Sequence, residues 1–335
     1  ISGNYVICDI DDIRSDESKP IVIAFDSTPD SNETTARVVA HEKDPSPENN
    51  LLVNSWNAER SQSLTIDQSM SGSFYDPTHD GEGWVLEILQ SETTNSLGET
   101  VPGRAVVYWF TYGVGGNSKQ MWLIGEGEIT GDTIFFKDAL RASGGNFGSN
   151  FDPEQIGFEV WGDFWMVFGS ADIALVGWNS RQPGFGSSEL NAIRLSSPEG
   201  IDGNESGQSL PAAYTGCWYD PSQNGEGWIL EVLEDNRVVI YWFTYDTNGQ
   251  QMWLIGFGLI KDSTINAEMF ITSGTEFGES FDPGEVATDH WGSMEMQFNS
   301  CDSATLTYQS DLAPFGSGTL NPIRLTNLQG FGCAD

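Results

Sequence analysis

Tyr241-Trp242-Phe243-Thr244-Tyr245 repeats Tyr108-Trp109-Phe110-Thr111-Tyr112 residue for residue, and that match decides the fold. Outward from it the correspondence continues in one order. Gly72-Ser73-Phe74-Tyr75-Asp76-Pro77 is answered by Gly216-Cys217-Trp218-Tyr219-Asp220-Pro221, and Gly81-Glu82-Gly83-Trp84 by Gly225-Glu226-Gly227-Trp228. Gln120-Met121-Trp122-Leu123-Ile124-Gly125 returns as Gln251-Met252-Trp253-Leu254-Ile255-Gly256. Phe147-Gly148, Phe151-Asp152-Pro153 and Trp161-Gly162 return as Phe277-Gly278, Phe281-Asp282-Pro283 and Trp291-Gly292. Each copy closes on Asn-x-Ile-Arg-Leu, at 191–195 and 321–325. Residues 71–197 and 215–335 are therefore two copies of one module, joined by a linker at 198–214.

The copies differ in length only at turns. The offset falls from 144 (Trp84 to Trp228) to 133 (Tyr108 to Tyr241) across the polar stretch 91–104, and to 131 across the Gly-rich stretch 113–119. Hairpin loops absorb such insertions cheaply. About eight strands follow per copy, in the second at 217–219, 228–233, 238–245, 251–259, 265–271, 294–298, 304–308 and 320–325. Asn224-Gly225, Asn248-Gly249 and Gly316-Ser317-Gly318 supply turn residues that accept positive φ. No segment keeps an apolar helical period for three turns. The fold class is all-β: two tandem meander barrels of calycin-like build, or two sandwiches, plus a small N-terminal β segment.

Residues 1–70 belong to neither copy. Strands are expected at 5–10, 20–25, 36–41 and 51–54, separated by acidic runs such as 11–17 and 26–33. A segment this short with few large apolar residues folds poorly alone, so it reads as a docking or strand-exchange element.

In 335 residues, 38% are hydrophobic and 12% aromatic, which suits a globular chain, yet the net charge is -35. Such a surface repels nucleic acid and anionic lipid head groups and keeps the chain dissolved in salt. No apolar run is long enough to span a membrane as a helix, so no membrane insertion is expected. The Ile1 start reads as a processed chain. Four cysteines suit an oxidising, extracellular or cell-surface setting. Three pairings are open to them; proximity late in the second copy pairs Cys301 with Cys333 and leaves Cys8 with Cys217. Asn32-Glu33-Thr34 and Asn204-Glu205-Ser206 match the glycosylation sequon.

The run Trp-Tyr-Asp-Pro … Gly-Glu-Gly-Trp … Tyr-Trp-Phe-Thr-Tyr-Asp … Trp-Leu resembles a tandem repeat of uncharacterised secreted proteobacterial proteins, over roughly residues 71–333. The resemblance implies compartment and architecture, with no activity attached. The first copy departs from it at Gly113, where the second keeps Asp246. Thr215-Gly216-Cys217-Trp218 and Ile323-Arg324-Leu325 also resemble the strand ends of avidins and lipocalins, where a last-strand cation packs across a first-strand indole. This implies a structural seam of Trp218 with Arg324 and Phe74 with Arg194. The alternative is that the arginines neutralise Glu87 and Glu231, which interrupt apolar strands.

Little points to catalysis. His41, His79 and His290 are the only histidines, and the other copy has Gln223 and Val160 at the last two positions. No zinc spacing, phosphate loop or dinucleotide fingerprint occurs. Asp76/Asp220 and Asp152/Asp282 precede prolines and read as turn caps. Calcium is the candidate ion, at Asp76, Asp80 and Glu82. Strand alternation places Tyr241, Phe243 and Tyr245 on one face and Trp242 on the other, so one ring set is core and the other a surface for contact. Trp109, Trp122, Trp242 and Trp253 are the candidate ligand or contact aromatics. The expectation is a non-enzymatic extracellular structural protein that self-associates into a filament or array through its N-terminal segment. The alternative is a secreted carbohydrate- or small-ligand-binding barrel protein.

Overall fold

The structure, a computed structural model, describes residues 33–37, 51–55, 64–115, 119–201 and 211–331. The chain divides into two compact units, Ile1–Gln62 and Ser63–Asp335. In the first, β1 (Glu33–Arg37) and β2 (Leu51–Ser55) form an antiparallel two-stranded sheet with Thr35 opposite Val53. The expected strands at 5–10 and 20–25, the sequon asparagines Asn32 and Asn204, Cys8, Cys333 and His41 lie outside the described residues.

The larger unit is almost wholly strand. The first copy contains β3 (Gly72–Tyr75), β4 (Gly83–Gln90), the small hairpin β5 (Thr93–Thr94) and β6 (Thr100–Val101), β7 (Gly103–Tyr112), β8 (Gln120–Thr130), β9 (Thr133–Ser143), β10 (Gly157–Ser170), β11 (Ile173–Ser180) and β12 (Ser187–Ser196). Eight of these close an antiparallel barrel in the order β10-β11-β12-β3-β4-β7-β8-β9. The extra residues of this copy form the β5–β6 hairpin, outside the barrel wall.

The second copy contains β13 (Gly216–Tyr219), β14 (Gly227–Val232), β15 (Arg237–Tyr245), β16 (Gln251–Lys261), β17 (Thr264–Ser273), β18 (Ala287–Ser300), β19 (Ser303–Ser310), β20 (Ser317–Leu320) and β21 (Ile323–Arg324). They run β18-β17-β16-β15-β14-β13-β21-β19-β20, and β19 also pairs with β18, so the pairings return on themselves. Each module is a meander whose last strand meets its first, which removes the open edges that invite aggregation.

Rings fill both interiors. Trp84 lies opposite Trp109, and Trp228 opposite Trp242, each pair with centroids 5.4 Å apart. Trp161 and Trp178 complete the first core, Trp291 and Tyr308 the second. Ile66 and Met70, which the sequence places in the N-terminal segment, pack inside the first barrel's core. Ile201 and Ala212, both within the linker, pack with Leu328 and Phe331.

Candidate functional site

The pentapeptide that reveals the repeat also builds the centre of the molecule. Alternation along β7 and β15 turns Trp109 and Trp242 into the barrels and Tyr108, Phe110, Tyr112, Tyr241, Phe243 and Tyr245 outward. The outward faces meet each other. Phe110 stacks on Tyr241 with centroids 5.2 Å apart, and Tyr108 on Phe243 at 5.4 Å. The second ring set therefore covers the other module rather than facing solvent.

The polar contacts at this junction come in reciprocal pairs. The Trp122 indole donates to the Thr244 carbonyl at 3.1 Å, and Trp253 to the Thr111 carbonyl at 3.2 Å. Gln120 Nε2 donates to the Trp253 carbonyl and Gln251 Nε2 to that of Trp122. Val286 sits where a side chain on Gly81 would be, and Ile156 likewise over Gly225. Phe147 leaves the first module and enters the core of the second, against Trp242, Trp291, Tyr308 and Phe315. Phe277 makes the return exchange against Trp109, Trp161, Trp178 and Phe185. Their amides donate to the carbonyls of Asp246 and Gly113, so the turn where the copies differ receives the other module's plug.

Four carboxyls are buried around this interface. Thr111 and Thr244 hydroxyls donate short hydrogen bonds to Glu82 and Glu226. Burial pushes both carboxyls up to about 8, against the hydroxyl bonds that oppose it. Glu87 and Glu231 project from β4 and β14 into the junction and are pushed up to about 7, again chiefly by burial. Glu87 accepts from Thr326 Oγ1 at 2.6 Å, and Glu231 from Ser73 Oγ at 2.8 Å and Ser196 Oγ at 2.5 Å. The arginines proposed to neutralise them bind elsewhere. Arg194 lies 4.9 Å over the Phe74 ring and pairs with Asp172; Arg324 lies 4.8 Å over Trp218 and pairs with Asp302. Their remaining donors go to the carbonyls of Ser69, Ser71 and Ala171 in one seam and Ala213, Thr215 and Cys301 in the other.

Of the residues considered for calcium, Asp76 and Glu82 have their carboxyl oxygens engaged by the protein. Asp76 accepts from Thr78 through Oδ1 and from the Asn191 amide through Oδ2, and Asp220 repeats this with Ser222 and Asn321. Asp152 and Asp282 cap their turns in the same way. Asp80 is exposed, and among the described residues no group of three or more His, Cys, Asp or Glu could hold a metal.

Of the four candidate aromatics, Trp109 and Trp242 are barrel core, and Trp122 and Trp253 belong to the junction. Of the expected Cys8–Cys217 pair, only Cys217 lies among the described residues. Cys217 is a free thiol, 0% exposed, because its strand turns it into the junction beside Tyr108 and Glu87. His79 packs against Phe281 from the other module, and His290 bridges Glu268 and Asp311 at the surface.

At one end of the junction lies a cleft of about 240 Å³. Phe74, Val85, Phe110 and Leu195 line it from the first module, and Tyr241, Trp253, Ile255 and Phe257 from the second. Of these, Phe257 is 53% exposed, and Glu82 is also part of the wall. The first module has Glu126 where the second has Phe257, so the exposed ring at the cleft has no counterpart in the first module. No family model matches the chain, and no curated protein matches it.

Proposed function

We propose that the chain is a non-enzymatic extracellular structural protein whose two barrels act as one rigid block and whose N-terminal unit links blocks together. The observation that carries this reading is the reciprocal junction. Each module spends its aromatic outer face, its plug phenylalanine and its glutamine amides on the other module, an arrangement suited to stiffness. The barrel interiors are filled by tryptophans and by the exchanged plugs, which leaves little room for a ligand of the lipocalin type. The N-terminal unit supports the linking role, since a two-stranded sheet is marginal alone in water and strand edges accept further strands. The charge of -35 keeps such blocks soluble until a specific contact joins them.

Negative-stain microscopy of the full chain across salt and protein concentration tests the proposal. Linear or sheet-like assemblies are expected, and they disappear when residues 1–62 are removed. Monodisperse single particles under every condition refute it. A second reading, binding of a glycan or small apolar ligand, is favoured by the ring-lined cleft beside Phe257. Binding on a glycan array that is lost in Phe257→Ser would support that reading.

A further inference from the structure

We propose that Glu87 and Glu231 form a proton-operated lock on the module junction: as carboxylic acids they hold the modules together, and on ionising they loosen the contact around Cys217 while the strands of both barrels persist. The two residues occupy equivalent places on β4 and β14, on the outward side opposite the core residues Leu86 and Leu230. Each crosses to the other module for its hydrogen bonds: Glu87 to Thr326, Glu231 to Ser73 and Ser196. Their side chains are fully enclosed, with relative exposures of 1% and 2%. In both, Oε1 has no hydrogen-bond partner among the described residues.

Burial favours the acid form of both, aided at Glu87 by the Glu231 carboxyl, and outweighs the Thr326, Ser73 and Ser196 hydroxyls and the two arginines, which favour the ionised form. Glu87 faces Thr326, Tyr108, Cys217 and Glu231, and senses Arg324 across the seam. Glu231 faces Ser73, Ser196 and Tyr241, and senses Arg194. Both guanidiniums are committed to backbone carbonyls and to Asp172 and Asp302, so neither forms an ion pair with the glutamates. The hydroxyls that donate to these carboxyls compensate only part of the burial, and a buried carboxylate without a paired cation is strongly penalised. The two carboxyls also repel each other once ionised, since each lies within the other's field.

The sign follows from linkage. Both groups titrate at about 7 in the closed state and return to the ordinary carboxyl range once water reaches them. A raised value means the docking contribution is fully present below about pH 4.5 and is lost as pH rises to about 7. Across that window the opening constant climbs by up to about tenfold per pH unit for each carboxyl, and above it the climb stops.

Cys217 sits inside the lock and reports on it. The full chain is treated with an aromatic disulfide reagent from pH 5 to 8, modification is mapped to the Cys217 peptide, and the far-ultraviolet strand signal is followed in parallel. The Glu87→Gln/Glu231→Gln chain mimics the acid form and supplies the intrinsic pH dependence of thiol reactivity. The wild-type rate, relative to that variant, is expected to rise at least tenfold between pH 5 and 7, then level off, with the strand signal retained. A flat ratio overturns the lock, and so does exposure of Cys217 only when the strand signal is lost.

Discussion

Phe147 and Phe277 exchange barrels, each lying among the tryptophans of the module to which it does not belong. The exchange makes junction and core one packing problem. Phe277→Ala should leave a cavity beside Trp109 and Trp161 and cost about 3–5 kcal/mol in chemical denaturation. It should also raise hydrogen exchange in β7 and β8, which belong to the other module's wall. A loss of protection confined to the second module would contradict the exchange. Phe147→Ala should show the mirror pattern in β15 and β16.

Much of this architecture is legible in the residues. The repeat, the insertion hairpin and the strand positions follow from matching motifs and from turns whose chemistry is local. The partner of the outward rings does not. Alternation in Tyr-Trp-Phe-Thr-Tyr shows two ring faces, and a face that covers a sister module looks the same in sequence as one that binds a ligand. The plugs are harder still, because Phe147-Gly148 reads as an ordinary turn until the barrel receiving it is known. One signal was available at Glu87 and Glu231: a carboxyl at the same place in two apolar strands implies a special partner. The nearest formal countercharge, a seam arginine, was the natural assignment. The structure gives those arginines to backbone carbonyls and the glutamates to hydroxyls across the junction.

The seam supplies a sharper test of the arginine chemistry. The Arg324 side chain is 2% exposed, lies over Trp218 and donates to the carbonyls of Ala213, Thr215 and Cys301. A lysine keeps the charge but cannot present a planar fork to several acceptors. Arg324→Lys should therefore destabilise the second module by about 2 kcal/mol, and Arg324→Ala by about 3–5 kcal/mol, read from denaturation midpoints. Equal stability of the lysine variant and the parent would reduce the seam to simple charge.

Gly225 tests how closely the modules interlock. Its φ is +120°, and a Cβ there would lie 2.7 Å from Ile156 of the other module. Gly225→Ala should strain the hairpin and push the Phe-Asp-Pro loop away, lowering stability by about 2 kcal/mol. Adding Ile156→Ala should recover part of this by clearing the contact. Strictly additive losses in the double variant would place the strain in the backbone conformation alone.

Glu82 and Glu226 predict the broader response to pH. Burial holds both at about 8 inside their modules, far above an unfolded glutamate. The folded state therefore binds more protons than the unfolded one between about pH 4.5 and 8, and stability must fall as pH rises through that range. His290 acts in the same direction, because its bonds to Glu268 and Asp311 raise its value and strengthen when it is protonated. Denaturation midpoints should be highest near pH 5 and decline toward pH 8. Glu226→Gln removes one of these protons while keeping an acceptor for Thr244, and should flatten the decline by up to about 3 kcal/mol between pH 4.5 and 7. Such flattening in Glu226→Gln without faster Cys217 labelling would separate this intramodule effect from loosening of the junction, since Glu226 bonds within its own module and Glu231 across to the other. A stability maximum on the alkaline side would mean that these carboxyls are ionised in the folded protein and paired with a cation.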